Sequence, residues 1–255
     1  MPLSRFVKAK EEELTRLRSL KQLPAPYRGK RPGFAEAIRG QMPGAIIAEY
    51  KRASPSKGDI NLTMSPEEVG SMYARAGASA ISVLTEETYF KGDLSYLHIM
   101  AKTGLPLLRK DFITHPLQVA MTASTPASAI LVIVRLFETD AELNAVLREC
   151  QTFGLEPVVE AFDAHDLQRA QSLGARIIQI NNRDLATLGI DLNRSYELVT
   201  RKQKHETWIS ASGITTPQAG QKMFEAGFDA LLMGTALMAS DHPGRMVERF
   251  TRNGS

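Results

Sequence analysis

Eight apolar runs, each six or seven residues long, recur along this chain at intervals of 20 to 35 residues. They cover 44–50, 79–84, 105–110, 129–134, 155–160, 175–180, 206–211 and 229–234. All are rich in Ile, Leu, Val and Ala, as strands buried on both faces must be. Between them lie stretches of helical periodicity: PEEVGSMYARAG, HPLQVAMTA, DAELNAVLRECQTFG, DAHDLQRAQSLG, LNRSYELVTRK and TPQAGQKMFEAG. Several of these end in the glycine that commonly closes a helix. Such alternation requires a parallel sheet faced by helices, met either by a doubly wound sheet or by a closed (β/α)8 TIM barrel. The count of eight favours the barrel, and no strand is followed by the glycine-rich dinucleotide fingerprint.

At 255 residues the chain suits one such barrel, and no linker divides it. Residues 1–255 are therefore expected to form a single domain. Residues 3–20 carry Phe6, Val7, Leu14 and Leu17 at helical spacing, followed by a loop rich in Pro, Gly and Arg and a short helix at FAEAIRG. Residues 1–40 thus read as a helical extension packed on the barrel.

Composition narrows the function by exclusion. The net charge is +3 and no long basic tract is present, so nucleic acid is not an expected partner. A small anionic molecule suits that balance better. A single cysteine, Cys150, excludes an intramolecular disulfide and any multi-cysteine metal site. The five histidines show no ligand spacing, and no metal is expected. The first residues are charged, without the apolar core of a signal peptide. No stretch approaches the roughly 20 apolar residues that span a bilayer, so no membrane is expected and the expected location is the cytoplasm.

Five of the runs end on groups able to do chemistry: Glu49 and Lys51, Lys110, Glu160, Asn181 with Arg183, and Ser212. In a barrel these strand ends share one mouth. Glu49 and Lys51 are two apart and share a face, either as a structural ion pair or aimed at substrate. Arg109 and Lys110 point to opposite sides, so only one faces inward. A partly desolvated lysine beside other cations is expected to have a lowered pKa and to exchange protons near neutrality. Glu160, if isolated, would be raised and suited to acid–base work. Ser212-Gly213 and Gly234-Thr235 follow the last two strands ahead of helices, where backbone N–H groups can cradle phosphate. The polar segment RASPSKGDINL is either a solvated loop or a lid carrying Ser56.

The strings IIAEYKRASPSKG, ISVLTEETYFKG, LLRKDFI, VVEAFD, IQINNRDL and SGI, in this order, resemble the indole-3-glycerol phosphate synthase family. The resemblance runs from the N-terminal helix to about residue 240. It implies closure of the indole ring from 1-(2-carboxyphenylamino)-1-deoxyribulose 5-phosphate with loss of CO2 and water, without a cofactor. By motif, Lys110 would be the general acid on the ketone. Lys51 would neutralise anionic groups and assist dehydration, and Glu160 would serve the anilino nitrogen and hydroxyl. Glu49 and Asn181 would orient lysine and substrate, and Arg183 would meet the ring carboxylate. Ser56, Ser212, Gly213, Gly234 and Thr235 would surround phosphate, while Phe90 and Phe112 would wall the pocket.

The chain departs from the family pattern at three places. Ala211 stands where a glutamate is usual before Ser-Gly-Ile, at a position expected to lie open to the pocket. Phe162 replaces a commonly polar residue, and MTASTPASAI is atypical. Rival readings are a related phosphate-sugar barrel enzyme acting on a modified anthranilate, an isomerase on the same barrel, a lysine Schiff-base aldolase, and an impaired barrel that binds a partner. Either a monomer or a homodimer is expected, with association to another pathway enzyme left open.

Overall fold

All eight expected strands form, and they close into a barrel. In the computed structural model, which describes residues 4–42 and 44–251, they are β1 (Ala45–Tyr50), β2 (Ala80–Leu84), β3 (Leu107–Lys110), β4 (Ala129–Ile133), β5 (Glu156–Ala161), β6 (Ile177–Asn181), β7 (Thr207–Ala211) and β8 (Ala230–Met233). Each pairs in parallel with its chain neighbours, and β8 returns to β1 in a register running from Ala45–Ala230 to Ala48–Met233. The run expected to reach Val134 stops at Ile133, because Val134–Leu136 turns as a short 3-10 segment.

The helices are α1 (Ser4–Ser19), α2 (Phe34–Arg39), α3 (Pro66–Arg75), α4 (Ser95–Met100), α5 (Pro116–Ala123), α6 (Asp140–Thr152), α7 (Ala164–Ser172), α8 (Asn193–Val199), α9 (Pro217–Ala226), α10 (Thr235–Met238) and α11 (Pro243–Thr251). The expected start of the first helix at Leu3 lies outside the described residues. Helix α11 is absent from the expected set; it packs on α3 beyond the last βα unit. No helix among the described residues is long and apolar enough to cross a membrane.

Side chains alternate strictly across the barrel wall, as the two-residue period of a strand demands. Ala45 and Ile47, Leu108, Ala129 and Leu131, Val158, Ile177, Ile209, and Ala230 and Leu232 fill the interior. Their neighbours Ile46, Ile81, Ile130, Val159, Ile178 and Leu231 pack outward beneath the helices. Four strands begin inside with alanine (Ala45, Ala80, Ala129, Ala230), and α2 uses that room. Its Phe34, Ala35 and Ile38 are buried in the same inner cluster and plug the lower end. The carboxylate of Glu156, at the start of β5, accepts the Phe34 and Ala35 N–H groups at 2.5 and 3.0 Å. It thus satisfies two of the donors that a helix start leaves unpaired.

Helix α1 docks near the other end. Its buried residues Phe6, Lys10, Leu14 and Leu17 form one stripe at spacings of four, four and three. Burying a side chain such as Phe6 contributes about 1.5–3 kcal/mol. A lysine in that stripe needs a counter-charge, and Asp111 supplies it at 2.9 Å. Asp111 also accepts from Arg109 at 2.9 Å and Thr85 at 2.6 Å. Arg109 in turn reaches Glu13 of α1 at 3.0 Å and Thr122 of α5 at 2.9 Å. This buried network ties α1 to the end of β3.

The network yields a stability prediction. Burial by itself would raise the Asp111 carboxyl, but Arg109 and Lys10 outweigh it and hold the group well below the usual carboxylate range. A carboxyl depressed on folding stabilises above its unfolded pKa and loses that contribution as pH falls towards the folded value. Asp111→Asn keeps the shape and leaves Lys10 and Arg109 to share the one carboxylate of Glu13, so it should cost about 3 kcal/mol in urea unfolding at neutral pH. The gap to wild type should narrow below about pH 4, the ordinary range of an aspartate. An equal gap at pH 3 and pH 7 would show that the charge does not matter.

Candidate active site

The interior rows of the barrel become polar on reaching its C-terminal end. Continuing the two-residue step leads from Ile47 to Glu49, from Leu108 to Lys110, from Val158 to Glu160 and from Ile177 through Gln179 to Asn181. Ile209 leads to Ala211, and Leu232 to Gly234. Arg109 takes the outward direction and is committed to α1, so Lys110 is the one that faces in.

Glu49 is the hub of one half of the mouth. It is only 3% exposed. Lys51 Nζ lies 2.8 Å from its Oε1, and Lys110 Nζ lies 3.7 Å from its Oε2, an ion pair too long for a hydrogen bond. Burial would raise the Glu49 carboxyl, but the two ammonium groups outweigh it and its pKa is lowered. The pair also explains Gly234. A Cβ there would stand 2.1 Å from Glu49 Oε1 and 3.0 Å from Lys51 Nζ, so a side chain would push both groups out of this arrangement.

Glu160 anchors the other half, and it is not isolated as expected. Its carboxylate accepts from the amides of Gln179 and, at 3.1 Å, Asn181. The Asn181 oxygen accepts the Arg183 N–H at 3.0 Å. Arg183 is half-buried; burial lowers its pKa while the charge of Glu49 opposes that shift. A cleft opens here between Ile133, Glu160, Phe162, Asn181 and Arg183. Beyond β5, Asp163, His165 and Asp166 bring three potential metal ligands together. Arg135 engages both carboxylates, which makes the group an ion-pair cluster.

Aromatic rings form one wall. Phe112 stacks on Phe6 with centroids 4.2 Å apart, and Phe90 lies 6.1 Å from Phe112. Tyr89 meets Phe6 edge-on at 5.3 Å. Phe6 and Tyr89 are not singled out by the sequence; the buried stripe of α1 marks Phe6 as apolar but not which surface it covers. Phe90 is held by the buried Glu86, whose carboxylate accepts the N–H groups of Thr88, Tyr89 and Phe90 at 2.9, 2.7 and 3.0 Å.

The remaining expected residues are placed less uniformly. The segment read as either a solvated loop or a lid holds a small hairpin, Ala53–Ser54 against Gly58–Asp59, with Ser56 exposed at its turn. Asp59 reaches Lys91 at 2.6 Å, an exposed pair that contributes little. Ser212 and Gly213 both have left-handed backbone, with φ of 70° and 83°. They do not open a helix as expected, since α9 starts only at Pro217. A Cβ on Gly213 would lie 2.5 Å from Ile190 Cγ2. Gly234 and Thr235 do lead directly into the short α10. Ala211, paired across to Asn181 and Leu232, ends the inner row of β7 and is buried.

The model of the family described as indole-3-glycerol phosphate synthase matches residues 3–250 of the chain. The indole-3-glycerol phosphate synthase of Exiguobacterium sibiricum is 38% identical over 247 residues, covering 96% of this chain and 95% of the relative. That of Aquifex aeolicus is 42% identical over 206 residues, covering 80% and 79%. Among solved structures, 3-hexulose-6-phosphate synthase from Salmonella typhimurium aligns with a TM-score of 0.65 at 12% identity, over 82% of this chain and 97% of that one. At that identity the likeness bears on the fold alone.

The opposed influences on Glu49 can be separated by titration. Carbon-detected NMR of its carboxyl should give a midpoint below the ordinary glutamate value of 4.5 in the wild type. In Lys51→Met/Lys110→Met, only the charge of Arg183 still opposes burial, and the midpoint should rise above that value. A midpoint that stays low without both lysines would locate the cause elsewhere.

Proposed function

The chain belongs to the indole-3-glycerol phosphate synthase family, and we propose that its mouth closes the indole ring of 1-(2-carboxyphenylamino)-1-deoxyribulose 5-phosphate. It is a carbon–carbon lyase: a bond forms between the carboxylated ring carbon and the ketone carbon, then CO2 and water leave. The observation that carries this reading is one buried carboxylate, Glu49, shared by two ammonium groups at the end of the inner rows.

Attack by an electron-rich ring on a ketone needs a proton delivered to the carbonyl oxygen. Lys110 is the donor in this reading, with Glu49 orienting it. Loss of CO2 restores aromaticity, so the reaction supplies its own electron sink. Lys51 would then protonate the departing hydroxyl and offset substrate charge. Glu160, held by Gln179 and Asn181, would take protons near the anilino nitrogen. Arg183 would meet the ring carboxylate as a guanidinium suits it. Phe90 and Phe112 would flank the ring, and Ser56, Ser212, Gly213, Gly234 and Thr235 would surround the phosphate. Most of the barrier reduction comes from holding ring and ketone together and from charge at the oxygen.

The same reading takes residues 1–255 as one barrel domain with residues 1–40 as its N-terminal extension. It places the protein in the cytoplasm as a monomer or homodimer. The single cysteine and the phosphorylated substrate support that location.

Single-turnover assays following the fluorescent indole product test the assignment. Lys110→Ala should lose about 10²–10⁴-fold in kcat while inorganic phosphate still binds. Retention of more than about a tenth of the rate would pass the role of acid to Lys51.

Ala211→Glu tests the departure from the family pattern. A carboxylate there would pair with Lys51 or Lys110 and raise that lysine's pKa, shifting the basic limb of the kcat/KM profile upward. A rise in kcat itself would mark the chain as an impaired relative. An unchanged profile and rate would remove Ala211 from any account of function.

A further inference from the structure

We propose that Phe162 is a positioning residue that sets Arg183 for the ring carboxylate of the substrate, an inference that rests on the reaction assigned above. Phe162 follows Glu160 by two residues and lines the same cleft as Asn181 and Arg183. The guanidinium carbon of Arg135 lies 3.9 Å from its ring centroid, and that of Arg194 lies 3.5 Å from it. Two planar cations that close to one centroid must occupy opposite faces, so the ring is held between them. Each face is attractive to a cation because of the ring's quadrupole.

The two arginines are anchored differently. Arg135 is tied to Asp163 and Asp166 at the end of β5. Arg194, in the first turn of α8, donates from Nη1 to the backbone oxygen of Asn181 at 3.2 Å. The side chain of Asn181 both donates to Glu160 and accepts the backbone N–H of Arg183. Contacts therefore run from the Phe162 ring through Arg194 and Asn181 to the backbone that carries Arg183. A non-aromatic polar side chain at position 162 could offer a hydrogen bond, but it has no ring with two faces on which to seat both guanidinium groups. Without the ring, Arg194 loses its seat, the Asn181 carbonyl loses its donor, and Arg183 is aimed less well.

The test compares two ligands that cannot cyclise: the substrate with its ketone reduced to an alcohol, and the same molecule without the ring carboxylate. Binding is measured by calorimetry for wild type, Phe162→Leu, Phe162→Tyr, Arg194→Met and the Phe162→Leu/Arg194→Met double variant. Phe162→Leu should weaken the carboxylated ligand about tenfold, as loss of two stacked cations warrants. It should leave the other ligand within about twofold. Phe162→Tyr, which keeps both faces, should bind like wild type. The double variant should be no weaker than the weaker single one, because both changes break one chain of contacts. Should Phe162→Leu fail to fold, Arg194→Met carries the same comparison. Equal weakening of both ligands, or none of either, overturns the inference. Wild-type protein that binds neither ligand overturns the assigned reaction as well, whereas wild type that binds both alongside an unaffected Phe162→Leu overturns this inference alone.

Discussion

A β-strand offers its residues only two directions, and closing eight strands into a barrel turns one of those directions into a sealed interior. The rest of the molecule follows from that constraint. At the lower end the inner rows begin with alanines, and α2 fills the space they leave. Charged side chains gather on the inner rows where these open, at the C-terminal end. Glu49, Lys110 and Glu160 each stand two residues beyond an apolar inner residue, and Asn181 stands two beyond Gln179, so the inward period brings them together there. None of them needs a special backbone to do so.

Both directions solve the same electrostatic problem at the end of β3. Inside, Glu49 bridges Lys51 and Lys110; outside, Asp111 bridges Lys10 and Arg109. A buried carboxylate between two cations is tolerable, whereas losing the carboxylate leaves the cations short of counter-charge. Lys110 thus lies between two residues, Arg109 and Asp111, whose side chains are locked into the outer network. The flexible four-carbon stem of the lysine starts from a backbone with little freedom. Gly234 completes the inner bridge by withholding a side chain where the carboxylate rests.

Legibility in the sequence tracks the range of the interactions. Strands and most helices show themselves through runs and periods contained within six to fifteen residues, and polar strand ends are read from the same windows. Features that depend on distant partners stay hidden. Phe6 and Lys10 read as an ordinary amphipathic stripe until Phe112 and Asp111 are placed beside them. Glu160 looks isolated because its amide partners lie on the next strand. Gly234 looks like a turn residue or a phosphate cradle, and only the position of Glu49 reveals the close approach. Phe162 stands out as a departure from the family pattern, yet nothing local announces two guanidinium groups on its ring.

The docking of α1 has a consequence for the order in which the molecule is made. Phe6 and Lys10 leave the ribosome about a hundred residues before their partners Phe112 and Asp111, and a loop of that length closes at considerable entropic cost. The barrel itself cannot close before β8 emerges to meet β1. Until then the apolar stripe of α1 has no complete partner surface, and the nascent chain carries an exposed amphipathic helix. Contacts of such long sequence separation form late and slowly, and exposed apolar surface in the interval invites association. The dense charge beside the stripe, Lys8, Glu11, Glu12, Arg16 and Arg18, keeps that helix solvated while it waits.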